Sequence, residues 1–90
     1  MTVRVYIHKT HRSFTDGMER VDLEGRSVAE CLRSLVARFP NIRRVLFASN
    51  GELLKNIDIY INAESAYPEE LKKPVKDGDE IHLDLMLTGG

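Results

Sequence analysis

The sequence predicts an α+β domain in which a mixed β-sheet of four or five strands is covered on one face by a single main helix. Three observations support this prediction: alternating apolar and polar residues in four segments, one strongly amphipathic segment, and pairs of residues typical of turns between them. Ninety residues are enough for one hydrophobic core and not for two. The turn pairs are Asp16-Gly17, Asn50-Gly51 and Asp77-Gly78.

The first half of the sheet is predicted to be a β-hairpin. In residues 2–8 and 18–24 apolar side chains alternate with polar ones, as in strands with one buried face. The connecting residues 9–17 are polar and end in a turn pair. The hairpin therefore has a longer loop than the tight two-residue kind.

The main helix is predicted from Ser27 to the residue before Pro40. Ser27 and Glu30 have the spacing of a capping box, in which the two side chains satisfy backbone donors of the first turn. Proline disfavours the α conformation in the residue before it, so the helix ends there. The apolar stripe of this helix consists of Val28, Leu32, Leu35, Val36 and Phe39.

The second half of the chain contributes two more strands, residues 56–62 and 80–87, both with alternating apolar side chains. Residues 40–56 are expected to form a mixed connection. Residues 63–76 contain two prolines and are expected to be irregular, apart from one helical turn near residues 69–72.

The order of these elements, hairpin then helix then two strands, is that of the β-grasp, or ubiquitin-like, fold. In this topology the last strand lies beside the first in the centre of the sheet. We therefore expect residues 1–87 to form one β-grasp domain and residues 88–90 to form a flexible tail that leaves from its central strand.

Composition and charge exclude several classes of function. The formal net charge of -1 gives no reason to expect nucleic-acid binding. No apolar run is long enough to span a membrane and no secretory leader is recognisable, so we expect a cytoplasmic protein. Cys31 is the only cysteine and is expected to be a buried, inert thiol. The 57–90 segment has a net charge of -5, which would steer it towards a basic partner; the alternative is an ordinary solvated face.

Gly89 and Gly90 are the most informative residues for function. Two glycines without Cβ atoms can enter a channel too narrow for other residues, and the last one presents a free α-carboxylate. The alternative interpretation is an ordinary frayed terminus. The residues that precede the pair must decide between the two.

Three further segments resemble the sulfur-carrier proteins of molybdopterin and thiamine biosynthesis, the MoaD/ThiS family. They are the helix from Ser27 to Pro40, the strand Ile59-Tyr60-Ile61-Asn62, and the approach to the last strand, Pro74-Val75-Lys76-Asp77-Gly78-Asp79-Glu80-Ile81. The Gly-Gly end follows at the distance expected for this family. One departure is Leu85-Met86-Leu87-Thr88, where the family usually has small residues, proline or valine.

The resemblance implies a carrier protein and not an enzyme. An E1-like adenylyltransferase, similar to MoeB or ThiF, would use ATP and Mg²⁺ to adenylate the Gly90 carboxylate. Sulfur would then replace AMP to give a thiocarboxylate, which a sulfur-accepting synthase consumes. Leu87, Thr88 and Gly89 would thread Gly90 into these partners over roughly 13 Å of extended chain. The chain itself would bind no cofactor.

The resemblance leaves the receiving pathway open. The chain length and the long connection after the helix are more similar to molybdopterin-type or cysteine-type carriers than to thiamine-type ones, and molybdopterin is favoured. Two other functions remain as alternatives. One is a ubiquitin-like modifier joined to lysines through Gly90, and the other is a non-covalent interaction domain.

The outward face of the predicted sheet carries a candidate docking surface: Tyr6, Tyr60 and His82, with Met86 nearer the tail. The alternative is a set of scattered, exposed apolar groups. His8 and His11 are expected to be solvated, and no metal site is predicted.

Overall fold

The computed structural model describes residues 1–85, and in it a five-stranded sheet packs one face against the main helix. The strands are β1 (Thr2–Ile7), β2 (Arg20–Glu24), β3 (Ile57–Ile61), β4 (Glu64–Ser65) and β5 (Glu80–Leu85). The helices are α1 (Val28–Arg38) and α2 (Arg43–Leu46), with 3-10 segments at Lys9–Thr15, Pro40–Ile42 and Glu70–Lys72. Predictions for residues 86–90, including the end of the last strand, lie outside the described residues.

The strand order is β2-β1-β5-β3-β4, with β1 and β5 parallel at the centre and the other pairs antiparallel. The predicted β-grasp topology is therefore confirmed. Because β5 is bordered by β1 on one side and β3 on the other, both of its edges are paired with neighbouring strands.

The core lies between the sheet and α1. Every second residue of β1 is buried, and the inward residues of the other long strands are buried as the alternation predicts, except Ile61 and Leu85, which are half-buried at the edge of the core. From α1 the core receives Val28, Cys31, Leu32 and Leu35, while Val36 and Phe39 are half-buried at its edge. The sheet and α1 each have one apolar face, and burying these two faces against each other gives the two-layer architecture.

Of the two hydrogen bonds predicted for the N-terminal cap of α1, one is present and the other has a different donor. The Glu30 backbone N–H donates to Ser27 Oγ at 3.2 Å, which is the expected cap. The Glu30 carboxylate accepts from the backbone N–H of Arg26 at 2.9 Å instead of that of Ser27. The helix ends at Arg38, before Pro40, as predicted.

The hairpin loop contains more structure than expected. Residues predicted as a polar loop form the 3-10 helix Lys9–Thr15, and Thr15 is fully buried. Thr15 Oγ1 donates to the backbone carbonyl of Met18 at 2.9 Å, and the Met18 backbone N–H donates to the carbonyl of Thr15. Because Met18 belongs to this turn, β2 begins at Arg20, and the predicted start at residue 18 is wrong by two residues.

Two further segments contain elements that the sequence did not predict. In the connection after α1, a 3-10 turn and α2 bring Ile42 and Leu46 into the core, both fully buried. The predicted irregular segment 63–76 includes the two-residue strand β4, which pairs with the end of β3. A strand of two residues, such as β4, is too short to be recognised from alternating apolar and polar residues. The helical turn predicted near residues 69–72 is confirmed.

Candidate functional site

The start of β5 is fixed by a network between two of the sequence segments that carry the family resemblance. Asn62 Nδ2 donates to Asp79 Oδ1 at 3.0 Å, and the backbone N–H of Lys76 donates to Asp79 Oδ2 at 2.9 Å. Asn62 Oδ1 in turn accepts from the backbone N–H of Glu80 at 2.9 Å. We call these four residues the Asn62–Asp79 network. It joins the end of β3 to the entry of β5.

The Asp79 carboxylate is the centre of this network and is only 7% exposed. The hydrogen bond from Asn62, followed by that from the Lys76 backbone, lowers the pKa of Asp79 below its ordinary value. The carboxylate is therefore charged at neutral pH. A buried charge that accepts two hydrogen bonds is the arrangement in which a carboxylate is tolerated inside a protein.

The turn Asp77-Gly78 joins the start of β5 to β1. The Thr2 backbone N–H donates to Asp77 Oδ1 at 2.8 Å, and the Gly78 N–H donates to the carbonyl of Thr2 at 2.9 Å. Gly78 has φ +87°, a conformation that favours glycine, which explains the Asp-Gly pair at this turn. The Arg4 N–H donates to the carbonyl of Asp79 at 3.0 Å. The residues just before β5 are thus hydrogen-bonded on both sides, to β1 and to Asn62, which follows β3.

From this entry β5 runs through the core to the end of the described chain. Ile81 and Leu83 are buried, and Leu85 is opposite Ile57 in the antiparallel register with β3. Leu85 is separated from Gly90 by four residues. The predicted tail residues Leu87, Thr88, Gly89 and Gly90, and the docking candidate Met86, lie outside the described residues.

The solvent face of the sheet brings three of the predicted docking residues together. Tyr6 and Tyr60 lie opposite His82 on its two sides, in the parallel and antiparallel registers respectively. The Tyr6 and His82 rings are stacked, with centroids 4.3 Å apart and planes within 3°. We call Tyr6, His82 and Tyr60 the aromatic row. Their predicted adjacency is confirmed, and their role in docking stays a prediction.

Acidic groups flank the aromatic row. Tyr6 donates its hydroxyl hydrogen bond to Glu80 at 3.2 Å, and Tyr60 donates to Asp58 at 3.4 Å. The charge of Asp58, followed by burial, raises the pKa of Tyr60, so its hydroxyl stays protonated. The row is half-buried and has apolar ring faces beside carboxylates. Such a surface suits a partner with an apolar centre and basic groups around it.

The family assignment follows from the match of the whole chain to one family model, which covers residues 5–90 and is described as the ThiS family. The chain belongs to the ThiS family. The resemblance to MoaD/ThiS sulfur carriers that the sequence segments indicate is therefore confirmed. None of the curated proteins compared with this ThiS-family chain matches it significantly.

Solved structures agree with this assignment. The ThiS-family chain is similar to Amycolatopsis orientalis CysO from a BexX/CysO complex, with 28% identity, a TM-score of 0.85, and coverage of 98% of this chain and 99% of that one. Mycobacterium tuberculosis CysO has 26% identity and a TM-score of 0.86 over 94% and 99%. Small archaeal modifier protein 1 from Methanosarcina acetivorans has 29% identity and a TM-score of 0.84 over 99% and 96%.

The remaining candidate side chains of this ThiS-family protein are Cys31, His8 and His11. Cys31 is fully buried as expected, and burial followed by the charge of Glu30 raises the pKa of its thiol to about 11. The thiol is therefore protonated at neutral pH and a poor nucleophile. His8 and His11, expected to be solvated, are both half-buried. Burial lowers the pKa of His11, and His8 Nδ1 lies 2.8 Å from Thr10 Oγ1.

The described residues lack both a metal-binding cluster and a membrane-spanning helix. Residues 1–85 contain no group of three or more histidine, cysteine or carboxylate side chains placed to bind a metal ion. Within the same residues, each helix is too short or too polar to cross a bilayer.

Sequence reasoning gave no role to Asn62 and Asp79, although both lie in segments quoted for the family resemblance. The signal was present: a polar residue that ends a buried strand, and an acid that follows an Asp-Gly turn and precedes another. Spacing alone does not show that these residues, 17 positions apart, form a hydrogen bond.

Proposed function

We propose that this protein is a sulfur carrier whose reactive group is the main-chain carboxylate of Gly90. The observation that carries the proposal is the position of β5. The strand that leads to Gly90 is paired on both edges and fixed at its entry, while the family match extends through residue 90. A rigid body that presents its chain end is what delivery of a terminal carboxylate to a partner enzyme requires.

The proposed chemistry occurs in partner enzymes. An E1-like adenylyltransferase with ATP and Mg²⁺ joins the Gly90 carboxylate to AMP and releases pyrophosphate. The terminal sulfur of a persulfide then attacks the acyl carbon and AMP leaves, which gives an acyl disulfide. A thiol reductant cleaves that disulfide and leaves a thiocarboxylate on Gly90. Adenylation is needed first because a free carboxylate is a poor electrophile, and the partner's closed pocket keeps water from the activated intermediate.

The aromatic row is the proposed docking surface for these partners. Its rings supply rigid apolar area, and its carboxylates complement a basic rim. The similarity to CysO, which was solved in complex with BexX, supports the proposal that a partner protein binds this chain. The long connection between α1 and β3, together with chain length, favours a molybdopterin-type or cysteine-type carrier over a thiamine-type one.

The test is reconstitution followed by intact-mass measurement. The full chain is incubated with an adenylyltransferase of the MoeB/ThiF type, ATP, Mg²⁺, a persulfide source and a thiol reductant. The expected product is a chain whose mass has increased by the exchange of one oxygen for one sulfur, and fragmentation should place the change on Gly90. The matched control is the chain without Gly90, which should stay unmodified. Sulfur on a side chain, or none under conditions that convert a known carrier, would reject the proposal.

A second candidate function is attachment to other proteins through an isopeptide bond. The observation that favours it is the 29% identity to a small archaeal modifier protein. The same activated Gly90 would serve both functions. Mass spectrometry of the native host distinguishes them: lysine residues of other proteins that carry a Gly-Gly remnant of this chain indicate modification, and a free thiocarboxylate indicates sulfur transfer.

A further inference from the structure

The helix side of the molecule carries a groove with a chemistry different from that of the aromatic row. Its walls are Arg33 and Val36 on α1, Arg43 on α2, Phe47 after α2, and Leu71 in the 3-10 segment Glu70–Lys72. We call it the α1–α2 groove. Its volume is about 220 Å³. This is below the roughly 300–1,000 Å³ of sites that enclose small molecules, and it suits one inserted side chain.

The floor of the groove is apolar and the rim is cationic. Val36, Phe47 and Leu71 are half-buried and pack against the core, so they present fixed apolar surface. Arg33 and Arg43 are exposed at the rim, and the groove lining contains no carboxylate. Within residues 1–85 neither arginine forms an ion pair. The guanidinium groups are therefore available to a ligand.

The charge around the groove is predominantly positive. Residues 26–55, which include α1, α2 and the loop after them, carry six basic and two acidic side chains, a net charge of +4. The aromatic row on the other face of the sheet is flanked instead by Asp58 and Glu80. The groove therefore favours an acidic partner over a basic one.

We propose that the α1–α2 groove binds an acidic segment of a partner protein that carries one medium-sized apolar side chain. The apolar side chain contacts Val36, Phe47 and Leu71, and flanking carboxylates pair with Arg33 and Arg43. Arginine suits this role because its planar donors match a carboxylate in two hydrogen bonds. Because the groove lies on the helix side and the aromatic row on the solvent face of the sheet, a partner bound here leaves the aromatic row accessible.

The experiment is a titration of the isotope-labelled full chain with a short blocked peptide in which one leucine lies between two pairs of acidic residues. Binding should shift the backbone amide resonances of Arg33, Val36 and Phe47 and leave those of Tyr6 and His82 unchanged. Replacing the peptide's leucine by serine should weaken binding about tenfold, because the apolar contact is lost. Added salt should weaken binding as well.

Charge reversal supplies the matched control. Arg33→Glu combined with Arg43→Glu should weaken the peptide by about a hundredfold, whereas Arg44→Glu, which changes a neighbouring exposed arginine outside the groove, should weaken it less than about threefold. All three arginines are exposed, although Arg44 lies over the Phe14 ring, so thermal melting checks that each variant stays folded. The proposal is overturned if the peptide does not bind, if its shifts fall on the aromatic row, or if a lysine-flanked peptide binds equally well. Shifts in the groove that depend on protein concentration alone would identify a second copy as the occupant and would also overturn it.

Discussion

Replacing Asp79 with alanine should destabilise the domain substantially, although Asp79 performs no chemistry. The carboxylate is 7% exposed and accepts hydrogen bonds from Asn62 Nδ2 at 3.0 Å and from the Lys76 N–H at 2.9 Å. Hydrogen bonds to charged groups contribute about 1.5–3 kcal/mol each, and the exposed Asn62 amide can recover part of its share from water. We therefore expect a loss of about 2–3 kcal/mol in the free energy of unfolding.

This loss is large for a domain of 90 residues. The total stability of such a domain is roughly 5–13 kcal/mol, and each kcal/mol corresponds to about 4–8 °C in Tm. The variant should therefore melt about 10–20 °C lower in calorimetry or circular dichroism. Asp77→Ala is the matched control, since the exposed Asp77 side chain accepts only the Thr2 N–H, and it should cost less than about 1 kcal/mol.

The effect should depend on pH in a defined direction. Because the network lowers the pKa of Asp79 in the folded state, the carboxylate's contribution is fully present above its unfolded pKa and is lost as pH falls through the folded value. The Tm difference between the wild type and Asp79→Ala should thus be largest near neutral pH and shrink below about pH 4. A difference that is small at neutral pH, or that grows on acidification, would refute the assignment of Asp79 as a charged acceptor.

Four other outcomes are expected. Deletion of Gly90 should abolish adenylation and leave Tm nearly unchanged; a large fall in Tm would contradict the proposed role of the tail. Gly89→Val should block adenylation by clashing in the partner's channel, and normal turnover in the partner assay would argue against a narrow channel. His82→Asp should weaken the adenylyltransferase complex about tenfold in calorimetric titration, and unchanged affinity would remove the aromatic row from the interface. Gly25→Ala should cost about 1–3 kcal/mol in chemical denaturation, because its Cβ would meet Cys31 Sγ at 2.7 Å; wild-type stability would show that the site relaxes.

The strands and the main helix could be predicted from sequence because their signals are local. Alternation over five or more residues, a Ser-Glu cap and a proline stop act within one element, and the structure confirms each with shifts of one or two residues at the ends. The elements that were missed, α2, β4 and the 3-10 helix Lys9–Thr15, have four, two and seven residues. Segments this short are stabilised by what they pack against, as the burial of Leu46 and Thr15 shows.

Sequence by itself determined the β-grasp order, the inward faces, the buried thiol of Cys31 and the family. Only the tertiary structure decided which distant residues meet. Three arrangements join separate elements: the face-to-face stacking of Tyr6 on His82, of which the sequence predicted only the adjacency, the hydrogen bond from Asn62 to Asp79, and the arginines around the α1–α2 groove. Strand register sets the first two and helix packing sets the third. Both depend on how all the apolar faces fit together in one core, which no single segment encodes.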